Sequence, residues 1–213
     1  MTEAEWLACT DPTPMLVFLR DRASERKLRL FACAVHRRMH HFADEGCVVA
    51  AAEASERYAD GRATAEEMRE ARSSALVLWS AHHVPNPSNA RLPQGLVIGA
   101  ACQVTRMDVA KVVNEIEQVA SSGGVEGRER AGLVRELFGN PFRPVVLDRS
   151  WLTSTVLSLA EGIYADHAFD RLPILADALM DAGCVEPVVL NHCQGPGRHV
   201  RGCWVVDLVL GKE

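Results

Sequence analysis

The chain is short of several things. Aromatic residues make up 6% of its 213 positions, and only 3 of its 23 basic residues are lysine. With 10 prolines and 15 glycines it is too poor in both for a fibrous or low-complexity protein. At 48% apolar residues it is too hydrophobic for intrinsic disorder. Its net charge of −5 excludes a uniformly basic nucleic-acid binder. No apolar run approaches the roughly 20 residues of a spanning helix; the longest, Gly95 to Val104, is half that. The start, Met1-Thr2-Glu3-Ala4-Glu5, lacks the basic and apolar parts of a signal peptide. A cytoplasmic location is therefore expected. The 7 cysteines should then remain thiols, and their odd number argues against a closed disulfide framework.

What is present is helical periodicity. Thr2 with Glu5 and Thr64 with Glu67 read as capping boxes, in which each side chain bonds a free backbone N–H of the first turn. Asp11-Pro12-Thr13-Pro14 is a break, with Thr13 as the cap and Pro14 opening a short helix. Ser24 caps a helix to about Asp44, with Leu28, Phe31, Val35, Met39 and Phe42 on one face and Gly46 as its stop. Further helices are expected over 48–58, from Thr64 to about His82, from about Pro93 to Ala120, and over 126–138. Asp148 or Ser150 opens another, with Val156 and Ile163 on its inner face. A helix over 171–182 follows, then a short 185–191 segment. The tail over 200–210 is read as helix despite its β-branched residues.

The fold class is therefore all-α, a compact multi-helix domain of about eight or nine helices. Ser121-Ser122-Gly123-Gly124 marks the best candidate joint, which would give lobes over 1–120 and 126–213; one continuous domain is the alternative.

Three blocks carry a resemblance. They are Thr2 to Leu16 (TEAEWLACTDPTPML), Phe138 to Pro144 (FGNPFRP) and His199 to Lys212 (HVRGCWVVDLVLGK). Together they resemble a large family of uncharacterised planctomycete proteins over essentially the whole chain. The resemblance implies a full-length, bacterial, cytoplasmic unit, and brings no activity, cofactor or catalytic residue with it.

The most specific pattern lies in the tail. Cys184, Cys193, His199 and Cys203 stand in the order C-x8-C-x5-H-x3-C. Thiolate and imidazole are the ligands a tetrahedral Zn²⁺ takes. The spacing equals that of small C-x8-C-x5-C-x3-H zinc fingers with the last two ligand types exchanged. Gly195-Pro196-Gly197 supplies the reversal, while His192 beside Cys193 is a competitor. The ordinary alternative is that the cysteines are core fillers. The cofactor expectation is none, or one structural zinc at these four residues. The tail is charge-neutral, so zinc would not imply RNA binding.

The second pattern is the helix after Ser24. Arg26, Arg29, Cys33, Arg37 and His40 lie opposite the apolar stripe, and form a candidate partner-binding face. The competing reading pairs these arginines with carboxylates among Glu53 to Asp60. His36 and His40 are four apart, but Arg37 stands where a metalloprotease helix has its glutamate. His82-His83 is read as a helix end.

No G-x-S-x-G, P-loop or dinucleotide motif is present. The functional expectation is a non-catalytic helical interaction or regulatory module with an unknown protein partner. No contact with nucleic acid or membrane is expected of it. The first alternative is a zinc-stabilised protein touching nucleic acid through the basic helix. The second is a Cys/His hydrolase built on Cys203, His199 and Asp207.

Overall fold

The computed structural model describes residues 1–39, 46–82, 100–101, 103–106, 108–122 and 125–212. Among these there is no strand, and the chain is all-α. The helices are α1 Glu3–Ala8, α2 Pro12–Leu19, α3 Glu25–Arg38, α4 Gly46–Ala59, α5 Ala65–His82 and α6 Val109–Ser122. They continue as α7 Gly127–Phe138, α8 Ser154–Asp166, α9 Leu172–Asp181, α10 Pro187–Gln194 and α11 Trp204–Leu210. No described helix is long and apolar enough to cross a membrane.

The chain divides into two compact units, Glu3–Val134 and Arg135–Glu213. The division falls within α7, later than the segment 121–124 where the glycines suggested a joint. Gly123 and Gly124 themselves lie outside the described residues.

In the first unit, α3 packs on α4 and α6, and α4 packs on α5. Phe31, Val35 and Met39 from the expected apolar stripe are fully buried; Leu28 is half-buried, and Phe42 lies outside the described residues. Ser24 caps α3 by accepting from the Lys27 amide, and Thr64 and Glu67 exchange the bonds of a capping box.

Several local expectations need correction. The cap of α2 is Asp11, whose carboxylate accepts from the Thr13 amide, so Pro12 opens the helix. Asp is a stronger cap than Thr, and with the helix starting at Pro12 both Pro12 and Pro14 fall in the first turn, where a missing N–H costs no intrahelical bond. α3 ends at Arg38 with Met39 as its C-cap, and Gly46 is the first residue of α4. A continuous helix from Pro93 to Ala120 is not formed. The chain turns at Thr105 and Arg106, and the Asp108 carboxylate accepts from the Lys111 amide to start α6 afresh. Residues 83–99 lie outside the described residues.

The second unit is built around α8, α9, α10 and α11. Its core holds Val156, Ile163, Leu175, Leu179, Val189 and Val206. Asp148 caps only a single 3-10 turn, Arg149–Trp151. The helix proper starts after Thr153, whose hydroxyl accepts from the Val156 amide. Gly139 and Gly183 close α7 and α9 with φ of +62° and +91°, the left-handed conformation that glycine adopts without strain. The tail is helical, as expected: Val205, Val206 and Val209 turn into the core.

Candidate metal centre

Four side chains of the second unit converge. Glu136 sits in the last turn of α7 and His192 in the last turn of α10. The chain then leaves α10 through Gly195-Pro196-Gly197 and returns, so that His199 comes back beside His192, with ring centroids 4.9 Å apart. A tight turn follows, in which the Cys203 amide bonds the Val200 carbonyl and Gly202 takes φ of +88°. This turn delivers Cys203 to the start of α11.

The ligand atoms of Glu136, His192, His199 and Cys203 all lie within 4.8 Å of one another. His199 Nδ1 is 3.0 Å from Glu136 Oε1, and His192 Nε2 is 3.4 Å from Glu136 Oε2 and 3.2 Å from Cys203 Sγ. A tetrahedron with metal–ligand bonds of about 2.0–2.3 Å has edges of about 3.3–3.8 Å. The group could therefore hold a metal ion with small side-chain adjustments. Cys203 is fully buried, and the other three are partly buried.

Burial would raise the Glu136 carboxyl, but hydrogen bonds from His192 and His199 and the positive electrostatics of the two rings outweigh it, holding it at about 2. The carboxylate is ionised and ready to ligate. Burial and the nearby Glu136 charge push the Cys203 thiol well above its ordinary value. A metal cation supplies the opposite field and deprotonates a coordinating thiol. Trp204 borders the group: its indole Nε1 donates to His192 Nδ1 at 3.1 Å. Its ring also covers Gly139, where an added Cβ would lie 3.2 Å from Trp204 Cδ2.

Of the tail residues singled out in the sequence, His199 and Cys203 belong to this group. Cys184 and Cys193 do not; both are buried in the apolar core of the unit. Cys193 shares the inward face of α10 with Val189, and burial pushes its thiol up to about 12. His192, one residue earlier and about 100° around the helix, points to Glu136 instead. Its place beside Cys193 was the available signal for it. Glu136 gave no local signal, because 63 residues separate it from His199.

The basic face of α3 is engaged within the first unit. Arg26 Nε bonds Asp60 at 2.9 Å, and Arg37 grips Glu56 through Nε at 2.7 Å and Nη2 at 3.0 Å. These are carboxylates of the 53–60 segment. Arg29 is 3% exposed and donates to the Val104 and Arg106 carbonyls. His40 lies outside the described residues, as does His83. His36 is fully buried.

A cavity of about 700 Å³ opens among α2, α3 and α6, lined by Leu16, Val17, Leu28, Val113 and Glu117 among others. No protein-family model, curated protein or solved structure matches the chain.

Proposed function

We propose that the protein is a non-catalytic helical module whose second unit is held together by one zinc ion on Glu136, His192, His199 and Cys203. The mutual approach of four ligand atoms, all within 4.8 Å, carries this reading. The donor chemistry supports zinc over other ions. One thiolate and two imidazoles suit a borderline-soft cation, whereas Mg²⁺ and Ca²⁺ take oxygen ligands. Four protein ligands leave no open position for substrate, which favours a structural role over a catalytic one. The ligands come from three separate stretches: the end of α7, the end of α10, and the turn into α11. One ion would thus tie together segments that the backbone leaves far apart in sequence.

The sequence expectation of an interaction module with a protein partner fits this reading, with zinc shaping the unit that would present the surface. Membership of the planctomycete family and a cytoplasmic location belong to the same proposal; a reducing compartment keeps the Cys203 thiolate available. The nucleic-acid reading draws less support, because Arg26, Arg29 and Arg37 are engaged internally. The hydrolase reading also draws less. Cys203 is fully buried with a raised thiol, the opposite of a reactive cysteine.

Thermal unfolding of the full chain with zinc and with chelator tests the proposal. A ligand at about 100 times its Kd adds about 2.7 kcal/mol to the folded state. Zinc should raise the melting temperature of the wild-type chain and leave C203S unmoved. Identical melting with zinc and with chelator would overturn the reading.

A further inference from the structure

We infer that Trp204 competes with the metal for His192, so that zinc loading and the Trp204–His192 hydrogen bond exclude one another. The inference rests on the zinc reading above and concerns how that same site is regulated.

An indole nitrogen carries a hydrogen and accepts nothing. Trp204 Nε1 directs that hydrogen at His192 Nδ1, 3.1 Å away. His192 Nδ1 therefore holds a lone pair, and in the neutral ring the hydrogen sits on Nε2. Nε2 is the atom turned toward Cys203 Sγ and Glu136 Oε2. To bind a cation it must present a lone pair, which places the hydrogen on Nδ1. Two N–H groups would then face each other across 3.1 Å. Metal-ligating histidines normally offer their second N–H to an acceptor; His192 meets a donor there.

His199 shows the contrast. Its Nδ1 faces Glu136, while its Nε2 is buried with no hydrogen-bond partner among the described residues. It can move its hydrogen to Nε2 without meeting a donor. The obstacle to full coordination is therefore confined to the indole of Trp204, which directly follows the ligand Cys203 and is only half-buried. His192 joins Glu136, His199 and Cys203 in holding the ion only as the indole turns away. Trp204 thereby sets the affinity of the site and reports its occupancy.

Indole ¹⁵N–¹H spectra of the full chain, recorded during zinc titration with native mass spectrometry in parallel, test this. W204F assigns the signal. At one zinc per chain the Trp204 indole proton should shift upfield as its hydrogen bond is lost, with the other three indole signals in place. W204F should bind zinc about 2- to 10-fold more tightly, the worth of one hydrogen bond. One bound zinc with an unmoved Trp204 signal would overturn the inference and leave the zinc reading standing. No bound zinc would overturn the zinc reading, and the inference with it. Should W204F fold poorly, the wild-type spectrum, assigned through its backbone, still decides.

Discussion

His199 Nδ1 stands 3.0 Å from Glu136 Oε1, and 63 residues of chain close on that contact. The same carboxylate reaches His192 with its other oxygen, at 3.4 Å. Glu136 is therefore the hub of the group, and E136A strips two partly buried imidazoles of their common partner. Metal-free E136A should lose about 2–4 kcal/mol of stability in urea unfolding. A loss within about 0.5 kcal/mol, the scale of an ordinary surface substitution, would contradict the hub role.

The first unit carries a carboxyl of opposite tendency. Burial raises Glu117 from 4.5 to about 7; Arg130 opposes the shift and Asp11 adds to it. Between those values the folded chain holds a proton that the unfolded chain has released. The contribution to stability is full below about 4.5 and is lost as pH rises through about 7. Its size is about 3 kcal/mol. E117Q cannot titrate, so the stability difference between wild type and E117Q should move by about that amount in favour of E117Q from pH 4 to pH 8. Parallel urea profiles across this range would rule the shift out.

Arg37 and Glu56 form a bidentate pair in which the Glu56 side chain is 4% exposed and that of Arg37 31%. Removing Arg37 takes a bidentate partner from a buried carboxylate. R37A should cost about 2–4 kcal/mol, below the full value for a wholly buried pair because Arg37 is partly solvated. R37K should recover only part of this, since an ammonium cannot make both bonds in the same plane. Full rescue by lysine in chemical denaturation would mean that charge alone matters there.

Gly139 combines φ of +62° with the Trp204 ring lying over it. An alanine there meets both a strained backbone and an aromatic ring 3.2 Å from its Cβ. G139A should destabilise the chain by about 1–3 kcal/mol and shift the Trp204 indole signal. An unchanged melting temperature would show that the ring moves aside freely.

The sequence made the helices legible wherever capping and periodicity are local. Ser24 and the Thr64–Glu67 box act where they were expected. It misplaced starts where two caps compete, as at Asp11 against Thr13 and at Thr153 against Asp148. It joined 93–120 into one helix because apolar content does not reveal the turn at Thr105–Arg106. The metal group was half visible. His199 and Cys203 share a short stretch, but zinc-finger spacing drew attention to Cys184 and Cys193, both buried in the core, Cys193 by its phase on α10 and Cys184 just past the end of α9. Glu136 enters through tertiary packing, which spacing along the chain cannot encode. For the arginines of α3, the reading that pairs them with carboxylates among Glu53 to Asp60 holds at Arg26 and Arg37, although amphipathic patterning alone does not choose between that and a partner-binding face.

The central claim is tested most directly by counting zinc per chain in reduced, anaerobically purified protein, for the wild type and for four single variants. The account predicts about one zinc per chain for the wild type, C184S and C193S, and a loss of most of it in H192A and C203S. Zinc retained in C203S but lost in C193S would place the ion on the other cysteines. No zinc in the wild type would contradict the account outright.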